Sequence, residues 1–117
     1  MEISKIVELL NGQLVVHGSN KSVEIETVCS TDLMSDVLRF ATKGTLLVTA
    51  LNQAQVIRTA EIADIPAVIM VMGKAIEKEL TELAEKKDIT LISTNLPTFT
   101  TCGILYAEGL IGCLEGQ

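Results

Sequence analysis

Aromatic side chains are nearly missing from this chain: it has no Trp, one Tyr and two Phe. Its core must therefore be built from Leu, Ile, Val, Ala and Met. The same shortage excludes nucleic-acid binding by base stacking, which needs aromatic platforms. Histidine is reduced to His17. A Ser-His-Asp triad would have to run through it, yet it stands beside an early turn and is expected at the surface. Zinc sites need clustered His, Cys or carboxylates, so no metal and no cofactor is expected from one His and three scattered Cys. Cys29, Cys102 and Cys113 have no C-x-x-C spacing, and their odd number implies free thiols. Cys29 and Cys102 are expected as small buried hydrophobes. Cys113, in a Gly-flanked tail, is expected to be more exposed and open to redox chemistry. There is no G-x-x-x-x-G-K-S/T phosphate loop, no G-x-G-x-x-G and no G-x-S-x-G elbow. No apolar run reaches membrane-spanning length. Glu2, Lys5 and Glu8 interrupt the first apolar positions, unlike a signal peptide. A cytoplasmic location is the default expectation.

What is present points to one α/β domain over residues 1–117, long enough to bury a core. A net charge of −6 repels phosphate backbones, so no nucleic-acid partner is expected. Ile3, Ile6, Val7 and Leu10 mark one helix face, stopped by Asn11-Gly12. Leu14 to Val16 is a short strand before a Gly18-Ser19-Asn20 turn. Val23 to Val28 alternates apolar and acidic residues and is expected as a strand near a sheet edge, with one face wet. Ser30-Thr31-Asp32 offers caps for a helix from Leu33 to about Ala41, with Leu33, Val37, Leu38 and Ala41 buried and Gly44 as its stop.

From Leu46 onward strands and helices alternate. Leu46 to Thr49 is a buried strand, and Asn52 is expected to cap the helix that buries Val56, Ile57, Ala60 and Ala63. Ala67 to Met72 is the most apolar run and is expected as the central strand, ended by Gly73. The next helix has Ile76, Leu80, Leu83 and Ala84 on one stripe and a charged outer face that includes a Glu82–Lys86 pair. Ile89 to Ile92 is another strand. Pro97 suits the first turn of a last helix carrying Phe99, Cys102 and Tyr106, and residues 112–117 are expected to fray. This order predicts a three-layer α/β/α architecture with a mainly parallel central sheet.

In such sheets ligands bind past the carboxyl ends of the strands. The polar groups there are Thr49, Asn52 and Gln53 after the first parallel strand, Gly73 and Lys74 after the second, and Ser93, Thr94, Asn95 and Thr98 after the third. Each turn leads into a helix N-terminus, where free N–H groups and the helix dipole favour anions. This is the geometry of a small-ligand cleft. The same hydroxyls and amides also occur at helix starts simply as caps. Arg58, Asp64, Asp36 and Arg39 are expected as surface residues, and no residue stands out as a general base.

Four pieces of the chain carry a family resemblance: Thr31-Asp32-Leu33-Met34-Ser35-Asp36-Val37-Leu38, Leu47-Val48-Thr49, Ala67-Val68-Ile69-Met70-Val71 and Ser93-Thr94-Asn95-Leu96-Pro97-Thr98-Phe99. In their order and spacing they resemble the DRTGG domain family over about residues 1 to 110. The resemblance implies the same three-layer fold and a regulatory or assembly-forming role, with any catalysis lying elsewhere. Such domains occur in long phosphotransacetylases and beside CBS domains in regulatory pyrophosphatases, and are similar to the N-terminal domain of HPr kinase/phosphorylase. The chain departs from the pattern twice. Leu51-Asn52-Gln53 stands where the Asp-Arg should fall, and Met72-Gly73-Lys74 keeps one glycine of the Thr-Gly-Gly. Amides can hydrogen-bond but cannot make a charged bidentate contact.

The expected function is therefore a non-catalytic regulatory or interaction module, acting as a homodimer or by docking on a partner enzyme or kinase. A small-metabolite or nucleotide sensor binding at the strand ends is the alternative, and a small enzyme whose catalytic groups leave no trace in the sequence, testable by mutation of Ser93 or Thr94, is a third.

Overall fold

The computed structural model describes residues 1–19 and 23–114. Eleven elements follow in order: α1 (Ile3–Leu9), β1 (Gln13–Val16), β2 (Thr27–Ser30), α2 (Met34–Phe40), β3 (Thr45–Thr49), α3 (Gln55–Ile62), β4 (Ala67–Met70), α4 (Lys78–Lys87), β5 (Thr90–Ser93), α5 (Thr98–Ala107) and β6 (Ile111–Gly112). They form one sheet in the order β1-β5-β4-β3-β2-β6. Only β1 runs antiparallel, against β5, with a register irregularity between Leu14 and Val16. The other neighbours are parallel.

Strand side chains alternate between two faces, and here both faces are covered. Leu47, Val68, Met70 and Leu91 pack under α2, α3 and α4, against Val37, Val56, Ile57, Ala60, Leu80 and Ala84. Leu46, Val48, Ala67, Ile69 and Ile92 point the other way, onto Ile3, Ile6 and Leu10 around α1 and Leu105 of α5. This is the three-layer α/β/α arrangement, with β4 in the interior of the sheet as its unbroken apolar run requires.

Several local expectations are corrected. The strand expected from Val23 begins only at Thr27 and extends to Ser30. It lies one position in from the edge, because β6 pairs along its outer side. Before it, Glu24 makes an isolated bridge with Glu2 and Ile25 is fully buried. Leu33, just before α2, is 58% exposed and Leu38 within it 49%, while Met34 and Val37 are the buried residues. Helix α2 is a short one at the margin of its layer, so only a narrow stripe meets the sheet. On α4 the ion pair is Lys78–Glu82 at 3.7 Å, and Lys87–Glu61 at 3.3 Å ties α4 to α3. Both are exposed enough to add little. Gly112 lies in β6 and Cys113 is buried, so these residues do not fray. Residues 115–117, where fraying is expected, and Asn20 of the expected turn lie outside the described residues.

Burial makes the sharpest test of this layering. Ile69→Ala is expected to cost about 2–5 kcal/mol, and Leu33→Ala about 0.5 kcal/mol or less. Urea unfolding monitored by circular dichroism measures both, and comparable losses for the two would contradict the burial described.

Candidate functional site

Because β3, β4 and β5 are parallel, the loops after Thr49, Met70 and Ser93 emerge at one end of the sheet. They form a crown of cross-linked turns. Thr49 is buried at the end of β3, and its Oγ1 donates to Asp32 Oδ1 at 2.8 Å. The Ala50 amide donates to the same oxygen at 2.8 Å. Lys74 reaches across from the next loop, its Nζ donating to Ala50 O at 2.8 Å. Asn52 spans the same gap twice: Nδ2 donates to Ala75 O at 2.8 Å and Oδ1 accepts from Glu77 N at 3.0 Å.

The third loop is tied in through its backbone. Met72 and Gly73 both have left-handed backbone, with φ of 71° and 62°. That turn aims Met72 N at Leu96 O and Gly73 N at Thr94 O, each at 2.9 Å. A Cβ at Gly73 would come within 3.0 Å of Asn95 Oδ1, so a side chain would be strained there in both respects. Thr94 is buried: its amide donates to Met70 O at 3.0 Å and its Oγ1 to Leu10 O at 2.9 Å. Its hydroxyl also accepts from Leu96 N at 3.2 Å.

The residues expected at the strand ends are thus brought together, but many of their polar groups serve the chain itself. Asn52 does not cap α3, whose N-cap position is Ala54. It holds instead the entry to α4. The Ser30-Thr31-Asp32 capping expectation fails in a similar way. Ser30 belongs to β2, Thr31 Oγ1 accepts from Leu33 N at 3.0 Å, and Asp32 turns to the crown. Asp32 is the crown residue that sequence reasoning missed, since an acid before a helix reads locally as a cap. Gln53 is exposed, and Ser93 and Thr98 are half-buried. Asp32 and Lys74 bring side-chain charges to the crown, and the hydroxyl paired with the Asp32 carboxylate, that of Thr49, is buried at the end of β3. Among the described residues, no group of three or more His, Cys, Asp or Glu is placed to hold a metal.

Other regions of the surface have relief. At the opposite ends of the parallel strands, a cleft of about 460 Å³ includes Glu24, Glu26, Glu61, Asp64 and Asp88 against Lys43 and Lys87. Its acidic balance disfavours anions. The Ser19 hydroxyl, then the Ser19 amide, hydrogen-bond Asp88 and hold its carboxyl below the usual carboxylate value. At the β6 edge, a mostly apolar groove of about 430 Å³ is lined by Cys102, Tyr106, Ile111, Cys113 and Leu114 among others. Phe99 and Tyr106, at 88% and 64% exposed, stand out from α5 on that side of the sheet. Among the described residues, no helix is long and apolar enough to cross a membrane.

Residues 5–107 match the family model of the DRTGG domain. No curated protein matches the sequence. Among solved structures, the chain is similar to the crystal structure of the CBS and DRTGG domains of the regulatory region of Clostridium perfringens pyrophosphatase complexed with activator, diadenosine tetraphosphate. The TM-score is 0.76 at 20% identity, over 89% of this chain and 45% of that one. The chain therefore spans less than half of that neighbour, and the likeness concerns the fold.

The crown's internal bonds carry a measurable expectation. Asn52→Ala removes the two hydrogen bonds that Asn52 makes to the β4 loop and should cost about 1–2 kcal/mol, whereas Gln53→Ala should change stability by about 0.5 kcal/mol or less. Equal effects in chemical denaturation would contradict the bridging role of Asn52.

Proposed function

We propose that this chain, which belongs to the DRTGG domain family, is a non-catalytic regulatory module that acts by docking, foremost on a second copy of itself, through its α5–β6 face. One observation carries the reading: of three aromatic residues in the chain, Phe99 and Tyr106 are spent on the surface. They are seven positions apart on α5, with Cys102 between them, and so share a helix side. Burying one such side chain fully is worth roughly 1.5–3 kcal/mol, and aromatic residues are enriched where proteins meet. Ile111 and Leu114 extend the apolar surface along the sheet edge. The crown supports the non-catalytic part, because its buried hydroxyls are engaged in bonds that hold loops together. A partner enzyme or kinase is the other occupant this face suits.

A second reading has its own support. Lys74 and the exposed, left-handed Gly73 stand in the crown, and the neighbouring regulatory region was crystallised with a nucleotide activator. In this reading Thr49, Asn52, Gln53, Gly73, Lys74, Ser93, Thr94 and Thr98 form the wall of a nucleotide or small-metabolite site. Occupation would break some internal bonds, so the ligand must replace them.

Size-exclusion chromatography with light scattering tests the first reading. The expected mass is twice the 12.6 kDa of one chain. Phe99→Ser combined with Tyr106→Ser should return it to one chain mass with an unchanged circular dichroism spectrum. A wild-type monomer at ~100 µM, equivalent to a self-affinity weaker than about −5.5 kcal/mol, would remove the homodimer. Thermal unfolding with diadenosine tetraphosphate tests the second. Saturation at a hundredfold excess over Kd should stabilise by about 2.7 kcal/mol, and Lys74→Ala should diminish the gain. No stabilisation by this compound at millimolar concentration would set its binding aside.

A further inference from the structure

The three cysteines, far apart in sequence, converge on one corner of the fold. Cys102 and Cys113 line the same apolar groove. Behind Cys113 lies Cys29. Strands β2 and β6 pair in parallel, with Val28 beside Gly112, and Cys113 N donates to Val28 O at 3.0 Å. One position further along, Cys29 and Cys113 stand next to each other on the same face of the sheet, buried in the same core layer. Cys113 is close enough to act on the Cys29 thiol. Neighbouring strands lie about 4.8 Å apart, inside the Cα separation of about 4.4–6.8 Å that a disulfide spans. Cys102 packs with the layer on the other face, so the sheet separates it from the pair.

We propose that Cys29 and Cys113 form a redox-modification site: they close reversibly into a disulfide by exchange with a low-molecular-weight disulfide such as oxidised glutathione, stapling β6 to β2. Cys113 borders the groove but its side chain is buried, so a small reagent reaches its sulfur when the two-residue β6 opens locally. The Cys113 thiolate attacks one sulfur of the reagent, whose S–S bond breaks and releases one thiolate. Cys29 then gives its proton to solvent, and its sulfur attacks the Cys113 sulfur of the mixed disulfide. The second reagent thiolate leaves. Two cysteine thiols have lost two electrons and two protons, and the reagent has become two thiols.

The environment orders these steps. Burial pushes the Cys29 thiol up to about 12, and the hydrogen bond and charge of Cys113 add to this, as does Asp36. Cys29 therefore keeps its proton while Cys113 reacts first. Once Cys113 is held in a mixed disulfide, its negative charge is gone and its sulfur no longer accepts strongly from the Cys29 thiol. Two of the causes that hold the proton on Cys29 then disappear, and the resolving attack becomes easier. Exchange of this kind depends on thiolate population and access. The consequence is local. Strand β6 has only two residues, held by Ile111 N to Glu26 O at 3.4 Å and Cys113 N to Val28 O at 3.0 Å. A disulfide there would fix the wall of the groove, whatever docks in it.

The test uses the full chain, incubated with oxidised glutathione, alkylated with N-ethylmaleimide and mapped as non-reduced peptides by mass spectrometry. The expected product is a Cys29–Cys113 cross-linked peptide with Cys102 alkylated, formed equally in Cys102→Ser. The thermal midpoint should rise by roughly 5 °C or more on oxidation and fall back with dithiothreitol. A product that stops at glutathionylated Cys113, a Cys102–Cys113 link, or full alkylation of both Cys29 and Cys113 would each overturn the proposal.

Discussion

Strands β3, β4 and β5 are buried on both faces, and the rest of the molecule answers to that constraint. A strand without water on either side must pair its N–H and C=O groups along both edges and bury apolar side chains in both directions. The chain meets the first demand with β2 on one flank and β5, then β1, on the other. It meets the second with α2, α3 and α4 over one face and α1 and α5 over the other. Parallel pairing in turn needs crossover helices, which gather the three carboxyl-end loops into the crown.

Patterns that depend on burial alone could be read from the sequence. The runs Leu46 to Thr49 and Ala67 to Met70, the stripe Val56-Ile57-Ala60 and the pair Leu80 and Ala84 occupy the places their spacing implies. The errors fall where a distant partner decides. Leu33 and Leu38 repeat at helical spacing, but a short marginal helix meets the sheet along a narrower line through Met34 and Val37. Cys113 reads as part of a loose tail until the pairing of β6 with β2 draws it inside. Asp32 and Asn52 stand where local rules predict caps, yet each bonds a loop remote in sequence. A cap is a short-range inference, and a hydrogen bond across 18 or 23 positions leaves no periodic trace.

Asn52 also gives physical sense to a departure from the family pattern. It stands in the segment where the pattern has Asp-Arg. A carboxylate there could only accept hydrogen bonds. The amide both donates, to Ala75 O, and accepts, from Glu77 N. The Asn52 amide makes a two-way bridge that a carboxylate could not make. Together with the Lys74 contact, this binds the β3 and β4 loops to each other.

The antiparallel strand β1 carries a consequence for how the protein is made. Its hydrogen-bonding partner is β5, with Leu14 beside Ile92, while Leu10 O waits for the Thr94 hydroxyl. α1 packs in the same layer as α5. During synthesis β1 emerges long before β5 exists for it to pair with. At about 5–20 residues per second, the interval is roughly 4–16 s. For that time an amphipathic helix and a strand edge stand exposed on the nascent chain. The opening segment is then the piece that closes the finished sheet.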